Sequence, residues 1–246
     1  MMLSAEMRER YRRQLSLPAM SEAAQERLAA ATVLVAGVGG LGGTVAIYLA
    51  AAGVGRLILY HDGSLTRSNL NRQILMEAAG VGRPRVSMAA AAIRRFNPDC
   101  RVEERPTTVF APTLAGDLAA AEVAVDARHN FPERRHLARL AWEAGKPLVE
   151  AAMSGMEATL TVLMPGFTPC LDCLYPEDPA WDPMGFPVLG AVSGALGALA
   201  ALETVKLLAD LPHPLLGDLL YADLSTLDFR RLPVYRSPSC QGCPRP

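Results

Sequence analysis

The chain has 246 residues, half of them hydrophobic and 20% charged, with 24 basic side chains against 25 acidic ones. That composition excludes a disordered chain, a collagen-like one and a small disulfide-stapled domain, and the length supplies one large core. A net charge of −1 leaves no basic excess to displace counterions, which excludes a nucleic-acid partner held by bulk electrostatics.

Residues 1–30 carry Glu6, Glu9 and Glu26 among several arginines and have no apolar core, so they do not read as an export signal and a cytoplasmic location is expected. Residues 3–15 predict a basic amphipathic helix, and Ser21 to Ala30 a second one capped by Ser21. ATVLVAG (31–37) is a valine-rich apolar run ending in glycine, the pattern of a central strand buried on both faces. Leu41 to Ala51 predicts a helix and RLILY (56–60) a second strand. Pro84 to Phe96 predicts a helix with proline in its first turn, and CRVEERP (100–106) a weak strand. Leu114 to Ala121 is helical, EVAVDA (122–127) extended, Pro132 to Ala144 helical up to Gly145, and KPLVEAAM (146–153) extended. This alternation implies a mostly parallel sheet with helices on both faces.

After residue 154 the pattern changes. EATLTVLMP (157–165) alternates and follows the preceding strand through Ser154-Gly155, which suits an antiparallel partner. A loop rich in Pro, Asp and Cys covers 165–187. Val188 to Leu202 is apolar but stops at Glu203 and Lys206, short of the ~20 residues that span a bilayer. A buried helix is expected there, its glycines and alanines allowing close approach to another backbone, and no membrane partner. Residues 218–234 predict a closing hairpin. The expected fold is therefore α/β, a Rossmann-like sheet extended by C-terminal antiparallel strands and a metal site. It reads as a single domain over 1–246, with N-terminal helices (1–30), a nucleotide-binding part (31–153) and an antiparallel extension (154–246).

Four features carry chemistry. Gly37-Val38-Gly39-Gly40-Leu41-Gly42 has G-x-G-x-x-G spacing between the first strand and its helix. Missing side chains there let a phosphate approach the helix N-terminus. Ser68-Asn69-Leu70-Asn71-Arg72-Gln73 sets amides and an arginine beside that loop, where a guanidinium fork suits phosphate oxygens. Arg8 to Arg13 is a basic run that alone reads as a solvated face. Cys170-x-x-Cys173 and Cys240-x-x-Cys243 have knuckle spacing, and two such pairs complete a closed four-thiolate shell. Cys170, Cys173, Cys240 and Cys243 are thus expected to hold one structural zinc in a reducing compartment.

In this order the four features resemble the ubiquitin-activating-enzyme-like family of bacteria, the MoeB/ThiF/HesA group. The matched pieces are Arg10-Tyr11-x-Arg13-Gln14, the Gly37 to Gly42 loop with Tyr48-Leu49-Ala50-x-x-Gly53-Val54-Gly55, Ser68-Asn69-Leu70-x-Arg72-Gln73, Val81-Gly82-x-Pro84, Asn97-Pro98 and both cysteine pairs. They span essentially the whole chain. The resemblance implies a homodimer that binds ATP and Mg²⁺ and adenylates the C-terminal glycine of a ubiquitin-like sulphur carrier ending in Gly-Gly, releasing pyrophosphate. It places Gly37, Gly39 and Gly40 at the nucleotide, and Asn69 and Arg72 at its phosphates. Arg13 becomes an arginine finger in the partner subunit's site. Preplaced guanidinium groups would stabilise charge growing on the phosphate oxygens.

The departures from the family's pattern lie at one end of that site. His61 stands where an aspartate for the ribose is usual, with Asp62 one place later. Successive strand residues face opposite ways, so Asp62 substitutes only if the chain has left the sheet. Arg85 stands where a lysine is usual. In Asp126-Ala127-Arg128-His129-Asn130, His129 replaces the aspartate on the Mg²⁺ side, and imidazole is a poor ligand for so hard a cation. No cysteine lies between Cys173 and Cys240, so the thiol some members use for a covalent step is missing. Three readings compete. The first is an adenylating enzyme with altered nucleotide or metal handling, in which Arg128 and His129 serve phosphate and the acceptor is a carrier or a small carboxylate. The second is a silent member that binds a carrier or pairs with an active paralogue. The third, a dehydrogenase-like protein, leaves Arg13, Asn69, Arg72 and the cysteines unexplained.

Overall fold

The computed structural model describes residues 2–179, 187–212, 214–238, 240 and 242–243. Serine caps open the first helices: Ser4 Oγ accepts from the Met7 amide at 3.1 Å before α1 (Ala5–Arg10), and Ser21 Oγ from Ala24 at 3.1 Å before α3 (Glu22–Ala30). The single helix expected over 3–15 is broken at Tyr11, where α1 ends and α2 (Arg12–Leu15) begins. Tyr11 is buried against Gly53 and its hydroxyl accepts from Asn97 Nδ2 at 3.4 Å, so the helix bends around an anchored ring.

The remaining elements are β1 (Thr32–Ala36), α4 (Gly40–Ala52), β2 (Arg56–Tyr60), α5 (Arg85–Phe96), β3 (Arg101–Arg105), α6 (Leu114–Ala120), β4 (Val123–Asp126), α7 (Phe131–Glu143), β5 (Leu148–Ser154), β6 (Glu157–Leu163), α8 (Leu171–Leu174), α9 (Gly190–Ala209), β7 (Asp218–Asp223) and β8 (Asp228–Pro233). The strands form one sheet in the order β3-β2-β1-β4-β5-β6-β7-β8. β1 to β5 pair in parallel, and β5 to β8 run antiparallel to one another in sequence. The expected α/β sheet with a C-terminal antiparallel extension is the fold observed.

β1 shows how the two faces are filled. Val33 and Val35 point into a core with Leu49, Ile93 and Leu196 from α4, α5 and α9. Leu34 and Ala36 point the other way, toward Leu114, Leu118 and Leu137 from α6 and α7. The outer strands are charged, β3 through Arg101, Glu103, Glu104 and Arg105, β8 through Asp228, Arg230 and Arg231.

α9 is longer than its apolar run predicts. Glu203 and Lys206 do not stop it; they pair with each other, and Glu203 Oε2 accepts from the Leu215 amide at 2.8 Å. The helix is long and apolar enough to cross a membrane by length and composition, but it packs on α4, β5 and β6 as a core helix. A Cβ on Gly197 would lie 2.6 Å from Leu41 O, which is why this contact needs glycine. α8 also departs from expectation, a helical turn inside a segment that reads as loop. It forms because Cys170 O accepts from Cys173 and Leu174, as a knuckle requires.

Candidate functional site

Sheet order reverses beside β1, with β2 on one side and β4 on the other, and ligands of open α/β sheets bind outside the strand ends at such a point. A cavity of about 690 Å³ opens there. Its floor is the glycine loop. Gly37 has φ +107°, and a Cβ on it would lie 2.7 Å from Ala127 O; on Gly42 one would lie 1.9 Å from Gly37 O. These two glycines let α4 start against the strand, and neither lines the cavity. Gly39 and Gly40 do line it. Gly39 caps α4, and a Cβ on it would meet nothing closer than Gln73 Nε2 at 3.8 Å. The helix N-terminus is thus open to an anion.

Arg72, Arg85, His61 and His129 share this cavity. Arg72 Nη1 donates to Ser68 O and Asn71 Oδ1, both at 2.9 Å. Arg85 Nη2 donates to Asp62 O at 3.3 Å. His61 is buried beneath the loop, its Nδ1 accepting from the Val38 amide at 3.4 Å, and burial with Arg85 nearby pushes its pKa down to about 3. His129 is also lowered by burial, then by Arg128, so both rings are neutral at physiological pH.

Two expected contacts are placed elsewhere. Asn69 does not line the cavity. It is buried, and its Oδ1 accepts from the amide and hydroxyl of Thr66 at 2.9 and 3.0 Å, closing a capping box in its own turn. Asp62 has left the sheet, since β2 ends at Tyr60, yet its carboxylate turns to Arg128 Nη2 at 3.3 Å and does not line the cavity. Arg13 is exposed and lies outside the cavity of its own chain.

A buried charge network that residue patterns leave unassembled reaches into the cavity wall, where Arg128 and Arg134 line it. Arg128 Nε and Nη2 each donate to Glu133 at 2.7 Å, and its amide donates to Asp126 Oδ1 at 2.9 Å. That guanidinium is shared between Glu133 and Asp62. Arg134 Nη1 donates to Glu150 Oε1 at 2.6 Å and to Asp126 Oδ2 at 3.4 Å, and Nη2 to Ala151 O at 2.9 Å. The one sign of this network in the sequence is Glu150, an acid inside the apolar strand KPLVEAAM. Gln73, the last residue of the amide and arginine run, lines the cavity as well, and so do Ser193, Tyr175 and Tyr221, which carry no sequence signal.

Magnesium fits this chain poorly. Among the described residues, Glu157 is the one acid lining the cavity, and its Oε1 accepts from the Tyr221 hydroxyl at 2.6 Å. Asp126 is fully buried against Arg134 and the Arg128 amide. Among the described residues the cavity lining therefore offers a hard cation this one carboxylate and no second.

The cysteines fit a metal well. Cys170 Sγ is 3.4 Å from Cys240 and 4.0 Å from Cys173, Cys173 is 3.6 Å from Cys243, and all four sulphurs lie within 4.8 Å of one another. Tetrahedral zinc with bonds of about 2.3 Å separates its sulphurs by about 3.8 Å. The Cys170 and Ser237 amides donate to Cys243 and Cys173 Sγ at 3.4 and 3.3 Å, as expected around thiolates. Arg135 Nη2 donates to Tyr175 O at 2.9 Å and its Nη1 pairs with Asp172, tying the knuckle to α7.

A family model described as ThiF family matches residues 11–244. The chain belongs to the ThiF family. Protein HesA, heterocyst, of Trichormus variabilis is 51% identical over 235 residues, covering 96% of this chain and 88% of that protein. The sulfur carrier protein adenylyltransferase of Thermus thermophilus is 37% identical over 246 residues, 96% of this chain and 90% of that one. Among solved structures, E. coli MccB superposes with a TM-score of 0.85 at 21% identity, covering 99% of this chain and 74% of that chain, which is a likeness of fold.

Proposed function

We propose that this protein is an E1-like adenylyltransferase that activates the C-terminal carboxylate of a ubiquitin-like sulphur carrier ending in Gly-Gly. The observation that carries the reading is the shape of the cavity. It begins at the open N-terminus of α4 with Arg72 and Arg85, and continues along the end of β5 (Ala151 to Ser154) to Glu157 and Tyr221. One trough thus joins an anion end to a strand-lined channel that an extended chain end fits. ATP would lie with its phosphates over Gly39 and Gly40. The incoming carboxylate attacks the α-phosphorus, the bond to the β-phosphate oxygen breaks, and pyrophosphate leaves. Arg72 and Arg85 stabilise the growing charge. Arg13 reaches the glycine loop of a second copy in a homodimer, which accounts for its exposure here. Structural zinc on the four cysteines and a cytoplasmic location belong to the same reading, as does one domain spanning the chain. The family relatives named as adenylyltransferases support it.

A second reading, a catalytically degenerate member that binds a carrier or pairs with an active paralogue, is favoured by one observation: among the described residues a single carboxylate, Glu157, lines the cavity. Exchange of labelled pyrophosphate into ATP separates the two. Exchange that depends on a Gly-Gly carrier supports the enzyme. Exchange driven by a small carboxylate moves the acceptor. Nucleotide binding without exchange supports the degenerate partner.

A further inference from the structure

Tyr175 stands across the strand-lined part of the cavity. Ala152 and Thr159 are cross-strand partners, as are Thr159 and Tyr221, so these three side chains share one face of the sheet. All three line the cavity, and so does Tyr175. The Tyr175 hydroxyl lies 3.3 Å from Thr159 Oγ1 on β6, and its ring meets the Phe131 ring of α7 edge-on, with centroids 5.2 Å apart. α7 packs on β4 and β5, so a ring that touches both α7 and β6 crosses β5 beside Ala152. The cysteine knuckle holds the backbone of this residue. The Tyr175 amide donates to Leu171 O at 2.8 Å, closing the turn of α8 that starts at Cys170 and contains Cys173, and Arg135 Nη2 donates to the Tyr175 carbonyl.

On this face β5 presents Ala152 and Ser154, which are too small to narrow a channel, so its width is set by what stands over them. Tyr175 is a stiff side chain held at its backbone, its ring edge and its hydroxyl, and it yields little to an added methyl group. We propose that Tyr175 sets the width of the acceptor channel, admitting a chain end without side chains and excluding one that carries methyl groups, and that the zinc knuckle holds the ring in place. This rests on the strand-lined part of the cavity taking the carboxylate-bearing chain end, the reading given above. Tyr175 selects the acceptor; it makes no bond and moves no proton. Its contact with Thr159 is long for a hydrogen bond between hydroxyls, so the ring and not the hydroxyl does the excluding.

Fluorescence anisotropy of the full, zinc-loaded chain compares one labelled peptide ending in Gly-Gly with the same peptide ending in Ala-Ala. An extra methyl group in a fitted pocket is worth about tenfold or more, so the Gly-Gly peptide should bind at least about tenfold tighter. Tyr175→Phe should keep that preference and Tyr175→Ala should remove most of it, while calorimetry finds ATP binding unchanged in both. Cys173→Ser should reproduce Tyr175→Ala, because the ring loses its anchor. If Cys173→Ser does not fold, Arg135→Ala, which releases the Tyr175 carbonyl, should narrow the preference in its place. Equal binding of the two peptides by the native chain, or a preference that survives Tyr175→Ala, overturns the proposal and leaves the acceptor channel standing. Loss of ATP binding together with the preference also overturns it, because Tyr175 would then only support the fold. A zinc-free Cys173→Ser chain with full preference overturns the part given to the knuckle. Failure of both peptides to bind overturns the acceptor channel as well.

Discussion

Glu150→Gln offers a direct measure of the charge network at the cavity wall. Glu150 is fully buried, one carboxylate oxygen accepts from Arg134, and the other has no partner among the described residues. Burial pushes its pKa from 4.5 up to about 7 against the pull of Arg134. In the unfolded chain the group titrates near the ordinary glutamate value. A folded pKa raised in this way gives a stability contribution fully present below about pH 4.5 and lost as pH rises through about 7. The interval is worth roughly 3 kcal/mol. Glutamine keeps the volume and an oxygen for Arg134 but does not titrate. The unfolding free energy of the variant minus that of the native chain should therefore climb by roughly 3 kcal/mol from acid to mildly alkaline pH, then level off. Urea unfolding from about pH 5 to about pH 8 reads this difference; titrating groups remote from Glu150 cancel in it, while Asp126 beside it titrates with it. The absolute offset also contains the weaker bond from Arg134 to an amide, so the slope is the test. A difference that stays flat would mean that Arg134 keeps Glu150 ionised throughout, and the argument from burial would fail.

Cys173→Ser should drop zinc well below one ion per chain by plasma emission and expose the C-terminal tail to protease; an equally stable metal-free protein would refute the clamp. Gly42→Ala puts a methyl against Gly37 O, so it should cost about 1–3 kcal/mol in thermal unfolding and weaken nucleotide binding; an unchanged midpoint contradicts the packing. Sedimentation should give a dimer, and mixing Arg13→Ala chains with Arg72→Ala chains should restore about a quarter of the sites, since only a mixed pair completes one. No recovery on mixing would remove Arg13 from the partner's site. His61→Asp with His129→Asp supplies the missing carboxylates and should strengthen Mg²⁺-dependent ATP binding by ~1.5–3 kcal/mol for each charge-assisted bond gained, with calorimetry as the check.

The parallel half of the sheet was legible because each buried strand is a short apolar run and each helix has its own period or cap. ATVLVAG ends in the glycine that starts the phosphate loop, so strand, turn and helix announce one another within a few residues. Local pattern fails where a distant partner decides. Tyr11 breaks its helix for the sake of Asn97, 86 residues away. Glu203 and Lys206 read as a stop, but they neutralise each other one turn apart and leave α9 intact. Asn69 reads as a ligand by residue type, yet its oxygen is spent within its own turn. Asp126 and Glu150 stand side by side only because β4 and β5 pair in that register, and Arg134 is what two adjacent buried acids require. The cysteines were readable at any distance, since knuckle spacing states its own geometry.

The charged outer strands have a consequence for how copies of this chain assemble. An open sheet exposes unpaired backbone at both ends, a template on which foreign strands can grow. β3 meets such a strand with Arg101, Glu103, Glu104 and Arg105, and β8 with Asp228, Arg230 and Arg231, closed by Pro233, which has no N–H to give. Docking there would strip water from ionised groups for little return. Fibrillar stacking is disfavoured at both edges, and self-association is left to the helical faces, where Tyr48 and Leu202 stand half exposed.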